Sequence, residues 1–212
     1  MNAEEIVKLQ RAYYRAGNTR PYVFRKKMLE TLEKTVRKYE SQIKEALYED
    51  LHKSSQEAYM TEIGLALSEI SYVKRHLRRW MKEKRVPAPL VHFPAYGRVI
   101  HEPYGVVLIM TPWNYPFLLN LGPLCDAIAA GNCCVLKPSA YAPASSRLLK
   151  KMMQEAFPQE YITVVEGGRK ENCLLLEERF DYIFFTGSPE VGKTVMEKAA
   201  ACLLYTSPSP RD

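Results

Sequence analysis

Apolar residues recur every three or four positions through the first eighty residues and then give way to short unbroken apolar runs. Phe24, Met28, Leu32, Val36, Tyr39, Ile43 and Leu47 form one stripe, which predicts a long helix opened by Pro21 and reaching about residue 50. Tyr59, Ile63, Leu67, Ile70, Val73 and Leu77 form a second stripe on a helix over about 56–80. A shorter helix over 3–16 precedes both and is stopped by Gly17-Asn18. Stripes of this width are packing faces. Pro87, Pro89 and Pro94 then break the pattern, and the loose alternation over 96–103 predicts a strand, part of a hairpin leaving the main body.

From Gly105 the period changes. GVVLIM (105–110), CCVLK (133–137), ITVVEG (162–167) and DYIFFTG (181–187) are short apolar strands. Helices are predicted between and after them, over 118–130, 142–157, 171–177 and from 191 to 200. Strands alternating with helices make an α/β fold, a parallel sheet covered on both faces. Right-handed crossovers place every strand's C-terminal end on one edge, the edge where ligands bind.

Composition narrows the class without naming a ligand. The 212 residues are 47% apolar and 25% charged, values of a globular protein. No apolar run reaches the roughly 20 residues of a membrane span, and the charged amphipathic N-terminus lacks the core of a secretion signal, so a cytoplasmic location is expected. The net charge of +6 lies wholly in residues 1–100, with 20 Lys+Arg against 12 Asp+Glu. Its densest part, Lys74 to Arg85, reads as a solvated helix end and not a nucleic-acid surface, because aromatic residues there are limited to Tyr72 and Trp80. The five cysteines form no CxxC pair and none lies at metal-ligand spacing from a histidine, so no metal is expected. Cys133-Cys134 read as small residues of a buried strand.

Three strand ends carry unusual residues. After the first come Thr111-Pro112-Trp113-Asn114-Tyr115-Pro116, where two prolines stiffen the loop and the Asn114 amide can donate to an oxyanion. After the second, Lys137-Pro138 puts a cation where a ribose or phosphate would sit. After the fourth, Gly187-Ser188 enters a helix whose first amides could receive a diphosphate. The stretch Gly187 to Thr194 also matches GxxxxGK[ST], the phosphate loop of nucleotide hydrolases. Against that alternative stand Glu190 inside the supposed anion cradle, the lack of a following acidic strand end for magnesium, and a position at the fourth strand of the sheet.

Taken in order, His101-Glu102-Pro103-Tyr104-Gly105, Pro112-Trp113-Asn114-Tyr115-Pro116, Ala129-Ala130-Gly131-Asn132, Leu136-Lys137-Pro138-Ser139 and Phe184-Phe185-Thr186-Gly187-Ser188 resemble the aldehyde dehydrogenase superfamily, in particular its class 3 and fatty-aldehyde branch. The resemblance covers about residues 1–201. It implies N-terminal helices followed by a partial Rossmann-like sheet: a helical part over 1–85, a linker and oligomerisation-arm strand over 86–104, and an NAD(P)-binding core over 105–201. It implies an NAD or NADP cofactor, a small-molecule aldehyde substrate and a homodimer in the full-length parent. By the same resemblance Asn114 helps form the oxyanion hole and Lys137 bonds the adenosine ribose. Gly187 and Ser188 hold the diphosphate, with Gly192 letting the helix approach. Thr111, Pro112 and Trp113 line the nicotinamide path, and Gly167 borders the adenine side. Where the family often has a glutamate after Lys-Pro-Ser, this chain has Ala140, which removes a repulsion against a 2′-phosphate and leaves NADP open beside NAD. The family's general-base glutamate and nucleophilic cysteine have no counterpart here, so the 212 residues are expected to be an inactive fragment, with a non-catalytic dinucleotide-binding role as a further alternative. Residues 202–212, CLLYTSPSPRD, resemble a translated transposase sequencing adapter and are expected to stand outside the fold.

Overall fold

The computed structural model describes residues 2–202 and 204, so the adapter-like reading of 202–212 falls almost wholly outside the described residues. Helix α1 (Ala3–Arg15) opens on a capping box in which Glu5 N–H donates to Asn2 Oδ1 at 2.8 Å and Asn2 N–H donates to Glu5 Oε2 at 2.9 Å. Two helices follow where one long one was expected, α2 (Tyr22–Lys38) and α3 (Glu40–Leu51), jointed at Tyr39 with φ −97° and ψ 9°. The i→i−4 bonds run on through the joint, from Tyr39 N–H to Thr35 O and from Ile43 N–H to Tyr39 O. The apolar stripe therefore passes the bend unbroken, and periodicity carries no trace of it. Tyr39 is buried there with its hydroxyl on Glu155 at 2.5 Å.

The third predicted helix is composite: α4 (Ser55–Ala58), a π-helical turn (Tyr59–Ile63) and α5 (Gly64–Trp80). Next comes an antiparallel hairpin of β1 (Lys84–Pro87) and β2 (Tyr96–Val99), with Lys84 opposite Val99 and Pro87 opposite Tyr96. The strand expected over 96–103 thus stops at Val99. Its partner was hidden by Pro87, which closes the ladder.

The main sheet holds β3 (Val106–Met110), β4 (Cys133–Lys137), β5 (Ile162–Val164) and β6 (Tyr182–Phe185), all parallel, in the order β5-β4-β3-β6. The connections are α6 (Leu118–Ala130), α7 (Pro143–Ala156) and α8 (Arg169–Leu176), and α9 (Pro189–Ala201) follows β6. Every residue of β3 and β4 is buried, as expected of central parallel strands. Because β4 and β5 add on one side of β3 and β6 on the other, the winding reverses between β3 and β6, the position where open α/β sheets form a ligand crevice.

Two glycines with positive φ fix how the chain enters these strands. Gly105 has φ +139°, and a Cβ there would lie 2.3 Å from Asp181 Oδ2. That carboxylate accepts from Val106 N–H at 2.8 Å and pairs with Arg11 at 2.9 Å, tying the starts of β3 and β6 to α1. Gly131 has φ +92° and ends α6 in the left-handed conformation. Buried Arg25 lies against it, donating to Thr19 O at 3.0 Å and to Ala129 O at 3.1 Å.

Candidate functional site

The C-terminal ends of the four strands stand side by side. Met110 pairs with Lys137 on one side and Phe185 on the other, and Leu136 pairs with Val164. The ladder continues one step into the loops, through Thr111 N–H to Lys137 O (3.3 Å), Thr186 N–H to Met110 O (3.1 Å) and Val165 N–H to Leu136 O (2.9 Å). Thr111, Lys137, Gly167 and Gly187-Ser188 therefore share one edge, at strand spacings of about 4.8 Å. Pro112, Trp113 and Asn114 lie in the loop that leaves that edge after Thr111, and Trp113 and Asn114 are exposed.

Lys137 is buried at the end of β4. Its ammonium donates to Pro138 O and to Gly167 O, both at 2.7 Å, which commits two of its three N–H bonds and holds the third near the edge. Burial lowers its pKa from 10.5 to about 8, against the opposing pull of Glu171 and Glu166. Gly167 makes this possible with φ +128°, at a place where a Cβ would lie 2.4 Å from Glu171 Oε2. Glu171 in turn accepts from Gly168 N–H at 2.8 Å. Ala140 is exposed just beyond Ser139, so no carboxylate stands at that point of the rim.

The glycine turn differs from the sequence reading in two ways. Helix α9 begins at Pro189, so Gly192, Lys193 and Thr194 sit in helix and only Gly187 and Ser188 are left as loop. A phosphate loop needs an open run of backbone amides between its glycines. That alternative is corrected on this ground. The helix start is also largely satisfied by its own chain: Pro189 has no N–H, Val191 N–H points to Ser188 Oγ at a long 3.5 Å, and Gly192 N–H bonds Ser188 O at 2.9 Å. An anion there would rest on Gly187 and Ser188 more than on helix amides. The close approach is at Gly187, where a Cβ would sit 2.5 Å from Phe185 Cζ. At Gly192 it would meet the same ring at an ordinary 3.4 Å.

The loop carrying Asn114 is held by residues that the sequence did not single out. Asn120 Nδ2 donates to Thr111 Oγ1 (2.6 Å) and Pro116 O (2.7 Å). Lys53 Nζ donates to Asn114 O (2.9 Å), and Glu62 Oε2 accepts from Phe117 N–H (2.8 Å). No sequence signal marks Glu62, because its burial depends on the π turn.

None of the buried cysteines suits a nucleophile. Burial pushes the Cys133 thiol up to about 12 and raises Cys125 and Cys134 as well, so all three stay protonated near neutrality. Among the described residues no cluster of His, Cys, Asp or Glu could hold a metal ion. Among them, too, no helix is long and apolar enough to cross a membrane.

The aldehyde dehydrogenase family model matches residues 1–206. The chain is 44% identical over 197 residues to human aldehyde dehydrogenase family 3 member B1, covering 93% of this chain and 42% of that protein. A structure described as the substrate-bound state of Staphylococcus aureus AldH matches with a TM-score of 0.93 and 44% identity, over 95% of this chain and 44% of that one. The NAD+ complex of an aldehyde dehydrogenase from Bacillus cereus shares the fold at a TM-score of 0.84 and 23% identity, over 96% of this chain and 42% of that one. The chain spans about 42% of the length of the curated relatives it matches. With the sheet edge, the Asn114 loop and the family model in agreement over nearly its whole length, the chain belongs to the aldehyde dehydrogenase family.

Proposed function

We propose that these residues form the dinucleotide-binding part of an NAD- or NADP-dependent aldehyde dehydrogenase, which as a whole protein oxidises an aldehyde to a carboxylic acid. The observation that carries this reading is the alignment of Thr111, Lys137, Gly167 and Gly187-Ser188 along one sheet edge at the reversal of strand order. The edge fits a dinucleotide. A buried ammonium keeps one donor for a ribose hydroxyl, and the Phe185 ring under the turn leaves Gly187 no room for a side chain, so its backbone stays open to a diphosphate. Thr111, Pro112 and Trp113 border the nicotinamide end and Gly167 the adenine end. The exposed Ala140 leaves space for a 2′-phosphate, so either cofactor is accommodated.

When bound, the dinucleotide supplies the oxidised ring that accepts a hydride. In the whole protein a cysteine thiolate adds to the aldehyde carbon, and the Asn114 amide donates to the oxygen that becomes negative. Loss of hydride leaves a thioester, and water releases the acid. For the 212 residues alone the expected behaviour is dinucleotide binding without aldehyde turnover: the three buried thiols stay protonated, and the exposed Cys173 lies on α8 and not on the Asn114 loop. The hairpin, with Leu90, Val91 and Phe93 almost fully exposed, supports a homodimer in which a second subunit covers them. A cytoplasmic site of action is part of the same proposal.

Fluorescence titration of the chain with NADH and NADPH tests the binding claim. Saturable binding weakened at least tenfold by Lys137→Met is expected. Equal binding by the variant overturns the placement of the ribose.

A further inference from the structure

We infer that the buried Lys53–Glu62 ion pair is the positioning element of the Thr111–Pro116 loop and, through it, of the Asn114 amide. The inference rests on the reading of Asn114 as oxyanion donor, and it adds residues that act on that group from outside the sheet.

The pair reaches the loop at both ends. Lys53 Nζ sits 2.7 Å from Glu62 Oε1, donates to Asn114 O at 2.9 Å, and lies 4.1 Å from the centre of the Tyr115 ring. Glu62 gives its other oxygen, Oε2, to Phe117 N–H at 2.8 Å and Leu118 N–H at 3.2 Å, which caps the first turn of α6 with a carboxylate. The loop from 114 to 118 is thus gripped at its start by the cation and at its end by the anion of one pair.

Local backbone features put both groups in place. His52, with φ 54°, ends α3 in the left-handed region, and Ser54 caps α4 by accepting Glu57 N–H at 3.2 Å. Lys53 is therefore held between two capped helix ends. The π turn Tyr59–Ile63 brings Glu62 and Ile63 inside together, and Glu62 is fully buried. Such turns are rare and add a residue that shifts the helix face by about a quarter of a turn.

Energetics favour a positioning role over a purely stabilising one. A buried ion pair is often no more stabilising than a well-packed apolar pair, since both charges lose their hydration. What the pair supplies that apolar residues cannot is direction: four hydrogen bonds aimed at the backbone of one loop and at its own partner.

The test separates position from stability. In a Trp80→Phe background Trp113 is the lone indole and reports on the loop. Lys53→Met leaves Glu62 buried without its cation and is expected to lower Tm sharply. The double variant Lys53→Met/Glu62→Gln removes both charges and keeps an amide oxygen for Phe117 N–H, so its Tm returns close to that of the parent. Its Trp113 anisotropy is nevertheless expected to fall and acrylamide quenching to rise, and in the whole protein kcat drops at least tenfold. A double variant with the parent's Trp113 anisotropy and kcat overturns the inference. Asn114→Ala should lower kcat and leave Trp113 anisotropy intact, because Lys53 bonds the backbone carbonyl. If Asn114→Ala keeps full kcat while the double variant loosens Trp113, the oxyanion reading fails and the anchoring of the loop stands.

Discussion

Lys137 Nζ donates to the carbonyl oxygen of Gly167 at 2.7 Å, linking the end of β4 to the turn after β5. This bond fixes the ammonium at the rim, and Gly167 alone among residues can hold the turn that offers the carbonyl without collision with Glu171. The cation is buried for it, and the cost appears as a pKa of about 8 in place of 10.5.

A pH dependence follows with a definite sign. Below about pH 8 both folded and unfolded chains carry the Lys137 proton, and the burial penalty is fully present. Between about 8 and 10.5 the unfolded chain holds more protons than the folded one, so this group's contribution to stability rises with pH. Denaturant midpoints of the parent, relative to Lys137→Met, should climb across that window. A flat difference contradicts the burial of a charged Lys137.

Gly131 should tolerate no side chain. A Cβ would sit 2.6 Å from Arg25 Cζ at φ +92°. Gly131→Ala is expected to lose about 2 kcal/mol or more, from backbone strain and displacement of the buried guanidinium together. Urea unfolding measures it, and a loss below half of that would mean that Arg25 moves aside freely.

Gly187→Ala should weaken dinucleotide binding by forcing Phe185 out from under the turn, since the new Cβ falls 2.5 Å from the ring. Shortening the ring residue in Gly187→Ala/Phe185→Leu should recover part of the affinity. Calorimetric titration of the two variants checks this, and a double variant no better than the single one points to the added methyl itself as the obstruction.

Cysteine labelling should divide by burial. Cys173 is exposed on α8 and should react with maleimide in the native chain at neutral pH. Cys125, Cys133 and Cys134 should react only after denaturation, since all three are buried and hold their protons. Native labelling of Cys133 or Cys134, read by peptide mass, would place the β4 interior within reach of solvent.

The strands and helices of residues 105–201 were legible because parallel strands buried on both faces read as unbroken apolar runs, and GVVLIM and CCVLK are such runs. The edge residues Lys137 and Gly187 were legible because Lys137 ends an apolar strand and Gly187 comes two residues after one. What the sequence hid depends on geometry that leaves periodicity intact. The joint at Tyr39 keeps its helical bonds, and β1 is masked by Pro87. Lys53 and Glu62 meet the Asn114 loop across 61 and 55 positions of chain, and no local pattern encodes such contacts.

The same remoteness shapes how the chain must come together during synthesis. Helix α1 is made well before its partners: Gln10 donates to Cys134 O across 124 positions and Arg11 to Asp181 across 170. At about 5–20 residues per second a ribosome needs about 6–25 seconds to deliver the first of those partners and about 9–34 seconds to deliver the second. Until β3 and β4 have emerged the helix has no sheet to pack on. The seating of α1 is therefore complete only once β6 has emerged, so that a block in translation before Asp181 would leave Arg11 without its carboxylate partner.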